Sequence, residues 1–248
     1  MANPEIQFRR FSPDYSGMRL STCTYGTFPD LLGRKTECRF DLMLPEKEAA
    51  GPLPVVIFIH GGGFVPPCDR RQAYISRIAR PITRAGFAVI SPDYPVFADE
   101  EERDRYSIKA CAAPAAAAIH GLRQWLCANG GALGLDISRV SIMGGSAGGM
   151  TAFFAIAGYE DEYRAFINLW GAPDELPALD RFPPTISVHG TADAAVPYEN
   201  EIPLTREFTA RGIQNRLITL EGDGHTPIHR LDVYLPAVIE LLKETNHV

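Results

Sequence analysis

Short β-branched apolar runs alternate along this chain with longer stretches whose apolar residues recur every three or four positions. The short runs predict strands at Arg19–Thr24, Glu37–Leu44, Val55–Ile59, Ala88–Ser91, Arg139–Met143, Ala165–Leu169, Thr185–Val188 and Arg216–Leu220. Val55 to Ile59 has no polar residue, as expected of a central strand covered on both faces. The longer stretches predict helices at Arg71–Arg84, Tyr106–Ala128, Ala147–Gly158, Tyr198–Ala210 and Ile228–Thr245. The last carries Ile228, Leu231, Leu235, Val238, Ile239 and Leu242 as a core-facing stripe. Gly86 and Gly212 stand where helices should stop, Ser107 where one should be capped, and Pro114 predicts a kink or a later start. Alternating strands and helices imply an α/β class with a mostly parallel sheet of about eight strands and helices on both faces. No repeat, low-complexity tract or linker interrupts the pattern, so residues 1–248 are expected to form a single domain.

Composition narrows this picture. Hydrophobic residues make up 46% and charged residues 22%, and the net charge is −6. Without a basic block, nucleic acid and anionic membrane surfaces are not expected partners. The five cysteines, at 23, 38, 68, 111 and 127, form no C-x-x-C pair, which argues against a disulfide framework or a zinc site. The first residues lack the basic and apolar regions of a signal peptide, so a cytoplasmic protein is expected. Nothing in the pattern sets an oligomeric state.

The strongest chemical signal is Gly144-Gly145-Ser146-Ala147-Gly148, directly after the run Arg139–Met143. A strand entering a turn of small residues and leaving as a helix is the setting of the G-x-S-x-G nucleophile elbow, with Ser146 as nucleophile. A serine hydroxyl needs a base. Of the histidines at 60, 120, 189, 225, 229 and 247, His225 is best placed, in a glycine-rich loop between the last strand and the last helix. The base needs a carboxylate. Asp193, just past a strand, gives the chain order Ser146, Asp193, His225; Asp223 and Asp174 are rivals. His60-Gly61-Gly62-Gly63-Phe64 follows the apolar strand and can turn backbone N–H groups toward an oxyanion, with Gly62, Gly63 and Ala147 as donors.

These segments resemble α/β-hydrolases of the carboxylesterase and lipase type. The HGGGF and G-x-SAGG motifs are similar to those of hormone-sensitive-lipase-like esterases and of compact bacterial acetylxylan and feruloyl esterases. Phe40–Pro45, Ser91–Tyr94, Leu135–Val140, and His189–Asp193 with Val196-Pro197 resemble flanking segments of the same group. The resemblance runs from about residue 37 to the end, and it implies the α/β-hydrolase fold. Between the sixth strand and the acid loop lie only the 14 residues Gly171 to Pro184, four of them proline. Little or no lid, and a relatively open site, are therefore expected.

The combined expectation is a serine carboxylic-ester hydrolase that forms an acyl-enzyme and needs neither cofactor nor metal. Its partner would be a small ester of short to medium acyl chain, with acetyl or feruloyl esters of a plant polysaccharide or oligosaccharide as the sharper form. An amidase, peptidase or lactonase using the same residues is the alternative, and a non-hydrolytic binding protein is the third reading. Phe64, Tyr94 and Trp170 follow strands at the same edge and are expected to line the substrate. Asp99-Glu100-Glu101-Glu102 reads as a solvated acidic loop.

Overall fold

A computed structural model describes residues 12–173, 175, 176 and 178–248. All eight expected strands form, and they make one sheet in the order β1-β2-β4-β3-β5-β6-β7-β8. The hairpin β1 (Met18–Pro29) and β2 (Lys35–Pro45) lies antiparallel on β4 (Ala88–Pro92). From β4 onward, β3 (Leu53–Ile59), β5 (Leu135–Gly145), β6 (Phe166–Leu169), β7 (Thr185–Gly190) and β8 (Asn215–Leu220) run parallel.

The wholly apolar β3 explains itself once both faces are seen. Val55, Ile57 and Ile59 point into a core shared with α3 (Ile108–Asn129) and α4 (Ala147–Gly158). Val56 and Phe58 point into the opposite core, filled by α1 (Ala73–Arg84) and α6 (Leu231–Asn246). Period-2 alternation thus sends apolar groups to two cores at once, each large side chain contributing roughly 1.5–3 kcal/mol of burial. A fifth helix, α5 (Glu201–Ala210), covers the β7–β8 end.

Differences from the expected elements have local causes. β5 begins at Leu135 rather than Arg139, because a register shift opposite Pro54–Val55 absorbs the intervening residues. Asp136 then accepts from Ser138 N–H at 3.0 Å and from Arg139 Nε at 2.6 Å. α3 runs through Pro114 without interruption, and Ser107 caps it by accepting from Ala110 N–H. The ends expected of α5 and α6 tighten into 3₁₀ turns at Tyr198–Asn200 and Ile228–Arg230. The acidic stretch is not a loop: Glu100–Arg103 form a short helix, α2, capped by Asp99. Its Glu102 grips Arg34 at the tip of the β1–β2 hairpin through two contacts of 3.0 and 2.6 Å. Among the described residues, no helix is long and apolar enough to cross a membrane.

Candidate active site

β5 ends at Gly145 and α4 begins at Ala147, so Ser146 alone makes the turn between them. It does so at φ 55° and ψ −125°, a conformation that residues with side chains rarely hold. The turn is this sharp because its glycines let backbone pass against backbone. A methyl group at Gly144 would collide with the carbonyl of Gly148, and one at Gly148 with the carbonyl of Ile59. The Ser146 N–H donates to Leu169 O at 2.9 Å and its carbonyl accepts from Met150 N–H, which fixes the strained residue at both ends.

The loops after β7 and β8 bring the other two residues to this turn. Ser146 Oγ lies 2.9 Å from His225 Nε2, and His225 Nδ1 lies 2.8 Å from Asp193 Oδ2. A carboxylate only accepts, so Nδ1 carries the proton and Nε2 is free to accept from the hydroxyl. The other Asp193 oxygen accepts from the N–H groups of Ala195 and Val196, each at 2.9 Å. Its rival Asp223 is engaged elsewhere, by His229 at 2.8 Å and Arg230 at 2.9 Å. Asp174 lies outside the described residues.

The glycine loop after β3 closes against the same turn. A Cβ at Gly61 would stand 3.1 Å from that of Ser146. Gly62 and Gly63 adopt φ of 113° and 62°, open to glycine and strained for other residues. Side chains hold the loop: Gly61 N–H donates to Tyr74 Oη at 2.7 Å, His60 Nδ1 and Gln72 Nε2 donate to Gly61 O at 2.8 and 3.3 Å, and Arg103 Nη1 donates to Gly63 O at 3.0 Å. In the turns and loops of the described residues, no backbone carbonyl accepts from the N–H groups of Gly62 or Gly63.

Ser146 is 8% exposed and His225 5%, and one expectation about the surroundings is corrected. The glycine loop and Gly171, where a Cβ would meet Ser146 O, crowd the turn from both sides. Phe64, Tyr94 and Trp170 do not line an accessible surface, being 1%, 3% and 1% exposed. They brace the site from inside. Tyr94 stacks on His60 at 4.2 Å and donates to its carbonyl, Phe64 packs edge-on to Tyr94, and Trp170 lies behind Gly145 among Tyr74 and Tyr234.

Behind Asp193 the structure brings together two residues whose connection the sequence does not disclose. His189, at the end of β7, lies with Nε2 3.2 Å from the same Asp193 Oδ2 that His225 uses. Its Nε2 also donates to Val196 O at 2.9 Å. Its Nδ1 lies 3.4 Å from Oε2 of Glu201, the fully buried first residue of α5. Asn168 on β6 donates to that same oxygen at 3.0 Å.

Burial opposes charge on Asp193, but hydrogen bonds from His189 and His225 hold its carboxyl well below the usual carboxylate range. Burial likewise opposes charge on His189, but Asp193 and Glu201 pull it from 6.5 up to about 9. The two act on stability in opposite directions. The lowered Asp193 stabilises the fold fully above its unfolded value of 3.8 and loses that contribution as acid is added. The raised His189 stabilises fully below 6.5 and loses that contribution as the pH rises through about 9. The melting temperature is therefore expected to peak between about pH 4 and 6.5 and to fall by several degrees up to pH 9. Scanning fluorimetry across this range checks it, with His189→Gln flattening the alkaline decline.

Solved structures with the same architecture cover nearly the whole chain. A truncated form of carbohydrate esterase from gut microbiota superposes with a TM-score of 0.70 at 17% identity, over 96% of this chain and 100% of that one. Esterase 2 of Thermogutta terrifontis, phosphorylated by paraoxon, gives 0.68 at 21% identity, over 94% and 95%. MGS-M1, an α/β hydrolase enzyme from a Medee basin deep-sea metagenome library, gives 0.72 at 15% identity, over 94% and 99%. The fold is that of the α/β-hydrolases. Curated protein sequences give no match. The BD-FAE family model matches residues 40–169, the stretch from β2 through the glycine loop and the Ser146 turn to the end of β6. With more than half of its length matched, the chain belongs to the BD-FAE family.

Proposed function

We propose that the protein is a serine esterase that cleaves carboxylic esters of short acyl chain through an acyl-enzyme. The observation that carries this reading is the unbroken hydrogen-bond chain from Asp193 through His225 to a hydroxyl held at positive φ. Ser146 Oγ bonds to the ester carbonyl carbon while its proton passes to His225 Nε2. The carbonyl oxygen becomes an oxyanion, held by N–H groups of Gly62, Gly63 and Ala147. His225 returns the proton to the departing alkoxide, and the C–O bond to the alcohol breaks. Water then adds to the acyl-enzyme, giving its proton to His225, and the acid leaves as Ser146 Oγ is reprotonated. Asp193 stays ionised throughout and stabilises the imidazolium.

The low exposure of Ser146 favours a small acyl group, with acetyl esters of carbohydrate as the sharper form of this reading. A carbohydrate esterase among the similar structures supports the same substrate class. A series of p-nitrophenyl esters tests this. The C2 to C4 esters are expected to exceed the C12 ester at least tenfold in kcat/KM. Preference for C12 or longer would overturn the short-chain reading, and faster cleavage of matched amides or lactones would replace the ester itself.

A further inference from the structure

Esterase chemistry as proposed above uses one histidine, yet a second is built into the same carboxylate. We propose that His189, held as an imidazolium between Glu201 and Asp193, is a positioning residue that shares the Asp193 carboxylate with His225 and tempers its pull on the imidazolium formed there during turnover. The inference rests on the esterase reading and adds a regulated charge behind its acid.

The geometry dictates the protons. Val196 O can only accept, so Nε2 of His189 bears a hydrogen. Glu201 Oε2 accepts from Asn168 and lies 3.4 Å from His189 Nδ1, and with an anion at Glu201 that nitrogen donates and bears a hydrogen as well. Glu201 is fully buried, its Oε1 has no hydrogen-bond partner, and its one basic neighbour among the described residues is His189. A buried carboxylate so placed needs a cation, and a ring with both nitrogens protonated supplies it.

The groups facing His189 come from every adjoining element. Glu201 comes from α5, Asp193 from its own loop, and His225 stands beyond Asp193 on the loop after β8. Asn168 on β6 is neutral, and Tyr198 sets its ring edge-on at 5.8 Å with its hydroxyl on Thr219. Asp223, on the His225 loop, is paired with His229 and Arg230.

The consequence follows from the shared oxygen. His225 donates its Nδ1–H to Asp193 Oδ2, and the His189 ring, whose Nε2–H goes to Val196 O, holds that nitrogen 3.2 Å from the same oxygen. The cation at His189 offsets part of the Asp193 charge that bears on the imidazolium formed at His225 during turnover. Without it, the full charge of Asp193 would bear on His225 alone.

Two measurements test the proposal. In ¹⁵N-histidine-labelled full-length protein at pH 8, His189 is expected to show both ring nitrogens protonated, and in Glu201→Gln to lose one of these protons at lower pH. A neutral His189 ring at pH 8 overturns the proposal, and this reading needs neither turnover nor a variant that folds. In kinetics on p-nitrophenyl acetate, His189→Gln is expected to move the acid limb of kcat/KM upward by about one pH unit. A folded His189→Gln protein with lower activity but an unmoved acid limb reduces His189 to a structural role and overturns the proposal. If the wild type hydrolyses no ester, the esterase reading fails, while the nitrogen spectrum still reports the charge of His189.

Discussion

Ser146→Ala lowers kcat on p-nitrophenyl acetate by about a millionfold and moves the melting temperature by no more than a few degrees. The separation of the two effects comes from what the side chain touches. Its hydroxyl makes one hydrogen bond, to His225, so its loss leaves one small gap and one unpaired ring nitrogen. The backbone strain at φ 55° falls on alanine as it falls on serine, because both carry a Cβ. The reaction loses its nucleophile outright. His225→Ala is expected to reduce kcat almost as far, and the double variant to add little, since the members of such a chain act as a unit. His229→Ala is the contrasting change. His229 is two-thirds exposed and bonds to Asp223, outside the chain that reaches Ser146. Its removal is expected to leave kcat within about threefold, and kinetics on the purified variants decides between the two histidines.

What could be read in advance and what could not divide along a physical line. The glycines around Ser146 and after His60 are demanded by backbone passing against backbone within a few residues, so the requirement is written locally. Asp193 and His225 stand at the ends of neighbouring parallel strands, and their order along the chain locates them. The braces do not show in this way. Tyr74 from α1 and Arg103 from α2 reach the glycine loop from 13 and 40 residues away, and both are residue types with ordinary readings in helices. Glu201 is an acid in the first turn of a helix, where acids are common for their effect on the helix dipole. Only packing shows that it is buried against His189. The misjudged aromatic residues teach the same point. Phe64, Tyr94 and Trp170 do follow the strands that form the site, but whether such a side chain turns to substrate or to core is set by neighbours far along the chain.

The loop contacts also join distant elements mechanically. Arg34 at the hairpin tip holds Glu102, the next residue on α2 is Arg103, and Arg103 holds Gly63. Below them Asp41 on β2 accepts from Arg70 and Arg71, and Arg70 also reaches Asp93 after β4. These pairs tie the segment after the glycine loop to the antiparallel side of the sheet. The stretch before residue 37, which carries no family resemblance, thereby supports through Arg34 the part that carries most.

Asp193→Asn lowers kcat by about ten-thousandfold with KM nearly unchanged, and the reason is a proton in the wrong place. One carboxylate oxygen accepts from Ala195 and Val196 N–H, so the amide of asparagine must set its oxygen there. Its NH₂ then takes the place of Oδ2, facing both His225 Nδ1 and His189 Nε2. Toward His225 the amide donates, so Nδ1 must accept and the ring proton moves to Nε2, where it points at Ser146 and blocks uptake of the hydroxyl proton. Turning the amide over restores an acceptor for His225 at the expense of two backbone hydrogen bonds and an N–H against N–H clash in the loop. Toward His189 the amide presents a donor to a donor, so the imidazolium loses an anionic partner that neutral asparagine cannot replace. The same substitution is therefore expected to lower the melting temperature, unlike Ser146→Ala. It should also shrink the alkaline decline in stability that His189 produces. A variant with low kcat but wild-type thermal stability and an unchanged alkaline decline would separate Asp193 from His189 and leave the acid serving His225 alone.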